Sequence, residues 1–90
     1  MMLYAEIEKT FCTIEKILSK ESLDEFKDTS LHNLYSYHYS LGTWIRNNFL
    51  YPKNNALYDL FSENGIYHAD DMSDIIIRLF HYHSYHRNTP

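Results

Sequence analysis

The fold class this sequence predicts is all-α: a small single-domain bundle of four to five helices. Three observations predict it. Apolar residues recur at spacings of three and four along several segments, which is the pattern of helices burying one face. Only two Gly and two Pro are present, with Pro52 and the terminal Pro90 both outside the periodic segments, too few turn residues for a Greek key or barrel of 90 residues. Apolar residues make up 44% of the chain and charged residues 22%, enough for one modest core and no second one, so residues 1–90 read as a single domain.

The first helix is expected over residues 3–19, where Leu3, Ile7, Phe11, Ile14 and Leu18 form one stripe and Glu6, Glu8, Lys9, Glu15 and Lys16 fall elsewhere. "SLDE" at 22–25 has the form of a capping box, so a short second helix is expected to start at Ser22 and carry only Leu23 and Phe26 inward. Thr29 or Ser30 caps a third segment whose stripe of Leu31, Leu34, His38, Leu41 and Ile45 runs helically through residue 49. "YSYHY" at 35–39 alternates as a strand would, but the longer stripe outweighs five residues. Gly42 costs roughly 1 kcal/mol inside a helix and is best explained by another helix passing close over it.

Pro52 ends that segment. Asn54 or Asn55 then caps a short helix carrying Leu57, Leu60 and Phe61, which stops at "ENG" with Gly65 in the left-handed region. The last helix opens at "HADDMSD", with Asp70 and Asp71 in its first turn, where the helix dipole favours negative charge. Met72, Ile75, Ile76, Leu79 and Phe80 are its expected buried face, and the tail from about 84 to 90 is expected to fray.

A net charge of −4 argues against a nucleic-acid binder that neutralises phosphates and suits a basic protein partner. The single cysteine, Cys12, cannot form an internal disulfide; it points to a reducing compartment, and its apolar helical setting to a buried thiol. No apolar run reaches the ~20 residues that span a bilayer, and Glu6, Glu8 and Lys9 interrupt any signal-peptide core, so a cytoplasmic protein without membrane contact is expected. Nine Tyr exceed what a core needs. They fit a recognition surface, and they equally fit AT-rich coding, which enriches Asn, Ile, Lys and Tyr together.

No constellation carries chemistry strongly. Of His81, His83 and His86 only the last two share a helix face, without a nearby carboxylate or cysteine, so no metal or other cofactor is expected. Arg78 and His83 have the spacing that some all-helical ribonucleases use for phosphate binding and proton transfer, but Leu79 follows the Arg where those enzymes have a polar residue. The reading is therefore non-enzymatic, with no catalytic residue, and the ribonuclease is a minor alternative. His38, on the apolar stripe, reads as a hydrogen-bonded core or interface histidine.

"SLGTWIRNNF" at 40–49 is the least ordinary stretch. An Arg beside Trp in an apolar segment is expected to be partly buried and must then be paired. The expected clamp has Gly42 allowing close approach, Trp44 filling the core, Arg46 gripping Asp70 and Asp71, and Asn47 with Asn48 bonding loop backbone after residue 50 or 63. "LGTWIRNNFLY" and "GIYHADDMSDIIIRLFHYH" together resemble a family of small bacterial proteins of unassigned function that carry Leu-Gly-x-Trp/Tyr-Ile-Arg-Asn and His-Pro-Asp-Asp-Met-Ser blocks. The resemblance covers roughly residues 34–83, leaves the first helix outside, and is departed from at Ala69, where the family tends to have Pro. It implies an all-α fold and no activity.

The functional expectation is a protein-binding domain of the bacterial immunity-protein or antitoxin type, blocking a basic nuclease-type toxin encoded by a neighbouring gene through acidic complementarity and aromatic anchors. Its expected surface is Tyr35, Tyr37, Tyr39, Asp24, Glu25 and Asp28, and a homo-oligomer is compatible with it. A small structural or adaptor domain is the alternative.

Overall fold

The computed structural model describes residues 2–52 and 55–87. Five α-helices, one 3₁₀ helix and one π-helical turn make up the regular structure among them: α1 (Leu3–Ile17), α2 (Lys20–Asp28), the 3₁₀ segment (Leu31–Tyr37), α3 (Leu41–Ile45), the π-turn (Arg46–Leu50), α4 (Ala56–Glu63) and α5 (Ala69–Arg87). The all-α expectation holds.

α5 is the spine on which the others pack. Its buried residues are Ala69, Met72, Ser73, Ile76, Ile77, Phe80, His81 and Ser84, while Ile75 and Leu79 are half-buried. The inward face is therefore rotated from the expected one, because two polar residues lie on it with partners: Ser73 meets Arg46, and His81 donates from Nε2 to the Thr29 carbonyl at 2.8 Å. Tied down at His81 by that second bond, the helix runs to Arg87 where a frayed tail was expected; residues 88–90 lie outside the described residues. Phe80 holds two other helices together. Its ring lies 5.6 Å from Phe11 of α1 and 5.4 Å from Phe26 of α2, between centroids.

α1 buries Ile7, Phe11 and Ile14 and partly buries Leu3, as its periodicity requires; it ends at Ile17, two residues before the expected 19, with Leu18 as its extended, partly buried C-cap. Cys12 is exposed on its outer side, not the buried thiol expected: it lies one position past the inward Phe11, about 100° around the helix. α2 begins three residues earlier than "SLDE" suggests. Ser19, not Ser22, is the N-cap, its side chain accepting from the Ser22 N–H at 3.0 Å. Asn55 caps α4 through a bond from the Tyr58 N–H at 2.8 Å; Asn54 lies outside the described residues. Gly65 (φ +85°) ends α4 in a Schellman arrangement, with Gly65 N–H bonded to Ser62 C=O and Ile66 N–H to Phe61 C=O.

The third segment is not one helix. Its first part is 3₁₀, and at three residues per turn the spacing of Leu34 and Tyr37 puts both on the inner edge. His, Asn, Tyr and Ser are weak helix formers, and the Ser36 hydroxyl takes the Asn33 carbonyl. The chain turns at residues 38–40, with Ser40 at φ −103°, ψ −85°, before α3 starts. After α3 the backbone widens into the π-turn, closed by Tyr51 N–H to Arg46 C=O at 2.9 Å, and stops ahead of Pro52.

Candidate functional site

The break at residues 38–40 is held by a buried arginine. Arg46 leads the π-turn and reaches back under α3, where its Nη2 donates to the His38 carbonyl at 3.1 Å and to Thr43 Oγ1 at 3.0 Å. A carbonyl that would continue a helix by bonding residue 42 is bonded to the guanidinium instead. Thr43 passes the link on by donating from Oγ1 to the Tyr39 carbonyl at 3.0 Å. Nη1 donates to Ser73 Oγ at 2.8 Å, and Ser73 donates in turn to the Asp70 carbonyl. The charge is balanced at the rim: Asp70 Oδ1 lies 3.6 Å from Nε and 3.8 Å from His38 Nε2.

This differs from the expected grip on two carboxylates. Asp70 makes a single long contact with a side chain 69% exposed, and Asp71 takes no part. A helix N-terminus turns successive side chains by about 100°, so neighbours 70 and 71 cannot both face one guanidinium lying on the Ser73 side. Ser73 is the partner that the sequence reading missed. The signal was a polar residue at i+4 from Ala69 on the inward face.

Gly42 makes room for the arginine more than for a helix. A Cβ there would lie 3.1 Å from Arg46 Nη1 and 3.4 Å from the Tyr37 carbonyl, with Ile77 of α5 in ordinary contact at 3.6 Å. Gly42→Ala is expected to lower stability by about 1 kcal/mol in spite of the gain of about 1 kcal/mol in helix propensity, since a guanidinium held by three acceptors has nowhere to move. In an Arg46→Met background the same substitution becomes neutral or stabilising. A double-mutant cycle in urea reads the sign change, and simple additivity would sink the explanation.

Trp44 does not fill the core. It is half-buried and meets Phe49 edge-on at 5.3 Å. Asn47 is exposed, and Asn48 donates to the Trp44 carbonyl within its own helix at 2.8 Å, so neither reaches the loops expected of them. His38 is held as a structural histidine would be, donating from Nδ1 to Asp74 Oδ1 at 2.8 Å with its ring edge-on to Tyr39.

Arg78 and His83 are not assembled for chemistry. Five residues apart, they point about 140° from one another around α5; Arg78 is exposed, and His83 packs on Phe11 at 4.8 Å. His86 lies against Tyr82 and Tyr85 instead of beside His83.

The expected partner surface divides. Tyr35 and Tyr39 are 76% and 86% exposed. Tyr37 turns inward, edge-on to Phe26 at 5.0 Å, its hydroxyl 3.4 Å from Thr29 Oγ1. Spacing decides this: in the 3₁₀ segment residue 37 sits above Leu34. On α2, Asp24, Glu25 and Asp28 are exposed together with Glu21. These four occupy one outer stripe, and among the described residues none has an ion-pair partner. Beside the stripe is a notch of about 400 Å³ whose walls include Leu18, Glu25, Phe26, Tyr37 and Trp44.

Among the described residues, no helix is long and apolar enough to cross a membrane. No curated protein and no solved structure matches the chain. The family match extends further than the motif resemblance and takes in α1: residues 5–84 fit the model of a family described as a domain of unknown function (DUF6794), and the chain belongs to that family.

Proposed function

We propose that the protein is a non-enzymatic binding domain that acts in the cytoplasm as an immunity protein or antitoxin, masking a basic, nuclease-type toxin made by a neighbouring gene. The observation that carries this reading is the stripe of Glu21, Asp24, Glu25 and Asp28 on α2. Carboxylates at i, i+3 and i+4 on one helix face destabilise it by a few tenths of a kcal/mol per pair, and among the described residues no cation forms an ion pair with them. A basic partner does. The adjoining notch supports the same reading, because Trp44 and Tyr37 beside Glu25 suit a partner side chain that combines an apolar stem with a positive end.

The test begins with the adjacent gene. Expressed alone, its product is expected to arrest growth, and co-expression of this chain to relieve the arrest. Replacing Asp24, Glu25 and Asp28 with Asn, Gln and Asn is expected to weaken binding at least about tenfold and abolish relief, without loss of helical signal. Relief that survives the triple substitution, or a neighbour that is harmless and does not bind, overturns the proposal.

A further inference from the structure

On a different side of the fold, the 3₁₀ segment and α5 border an open groove of about 710 Å³. Leu31 and Tyr35 stand along one wall, 65% and 76% exposed, and half-buried Ile75 lies opposite them. Three charged residues of one stripe of α5 line it: Asp71 and Arg78 at the two ends, and between them Asp74, whose carboxylate is bonded to His38. Asp71 and Arg78 are separated by two turns, roughly 10 Å along the axis, and both are exposed.

Neither has an ion-pair partner among the described residues. The reason is local. Asp74 is placed at i−4 to pair with Arg78, but it gives its Oδ1 to His38, and Asp70 faces Arg46. What is left is a strip with an unpaired acid at one end, an unpaired base at the other, and apolar Leu31, Tyr35 and Ile75 beside the His38-bound Asp74 between them.

We infer that this groove is a self-association site, closed by the same groove of a second copy of the chain. A twofold axis passing near Ile75 runs two α5 helices antiparallel and sets Asp71 of each against Arg78 of the other. One surface thereby makes two identical ion pairs, which is the self-complementarity that an isologous contact requires. A strip with one sign at both ends would repel its copy. Leu31 and Tyr35 supply the apolar and aromatic area between the charges. The site is separate from the α2 stripe, and the inference stands whether or not a toxin is the partner of that stripe.

The test is a charge-exchange experiment on the full chain, read by sedimentation equilibrium over a concentration series. The unaltered chain is expected to show a monomer–dimer equilibrium. Asp71→Arg alone and Arg78→Asp alone each place like charges together and are expected to weaken dimerisation at least about tenfold. Mixing the two single variants restores opposite signs at both contacts and is expected to give a heterodimer, and the chain carrying both substitutions is expected to regain its homodimer. Thermal melts of each variant confirm that it is folded. A chain that is monomeric at every concentration overturns the inference. So does a dimer indifferent to both reversals, or a mixture of folded single variants that fails to associate.

Discussion

Replacing Arg46 with Met is expected to lower stability by about 2–4 kcal/mol. No buried carboxylate is stranded by this change, since Asp70 is mostly exposed; the cost comes from the acceptors that Arg46 satisfies. The His38 carbonyl loses its bond to the guanidinium, and Ser73 and Thr43 keep only the bonds they donate. Removing a partner from a buried polar group costs about 1–3 kcal/mol, and the Met side chain recovers part of this by packing. Arg46→Lys should recover little, because a single ammonium does not span acceptors on α5, on α3 and at residue 38. Asp70→Asn, which weakens two exposed contacts, at 3.6 Å to Arg46 and 3.8 Å to His38, should cost less than about 1 kcal/mol. Thermal melting of the three variants orders them; Asp70→Asn as damaging as Arg46→Met would mean that the ion pair, and not the backbone contact, holds the segment. At roughly 4–8 °C per kcal/mol for a domain of this size, Arg46→Met melts about 8–32 °C lower.

Phe80→Ala is expected to be the most damaging core substitution, at about 3–5 kcal/mol. The ring is fully buried and touches Phe11 and Phe26 at once, so its loss opens a cavity where α1 and α2 meet α5. Neither flanking ring is free to collapse into it. Phe11 also packs on His83, the rings tilted by 38°, and Phe26 is held between Tyr37 and His81. Phe80→Leu, which leaves a smaller void, should cost about half as much. Denaturation in urea measures both. A loss below about 1.5 kcal/mol for the alanine variant would show that the cluster repacks.

How much of this was legible depended on whether a residue's role was local. The stripe of α1, the cap at Asn55 and the glycine stop after α4 depend on neighbours within a turn, and periodicity or residue type suffices to read them. The break at 38–40 in the third segment is not legible in the sequence because it depends on Arg46 bonding backward and on α5 supplying Ser73 and Asp74, none of which alters the local pattern. Asp71 misses the clamp because helix neighbours diverge by about 100°, and Tyr37 leaves the surface because three residues per turn stack it on Leu34. The inward face of α5 was rotated because Ser73, His81 and Ser84 count as polar in a periodicity search, although the fold encloses all three. At the candidate partner surface, the acidity of Asp24, Glu25 and Asp28 was visible in the sequence. That Glu21 joins them, and that Trp44 borders the notch beside them, required the helix start at Lys20 and the turn at 38–40.

The diverted His38 carbonyl has a consequence for transplantation. The bend before α3 is not encoded in the ten residues that follow from it, because the group that captures the carbonyl is itself aimed by a hydroxyl on another helix. Grafted onto a different scaffold, "SLGTWIRNNF" would bring the arginine but not its aim, and the stretch would revert to an ordinary helix carrying a glycine. The smallest portable unit is the segment from His38 to Leu50 together with the first two turns of α5.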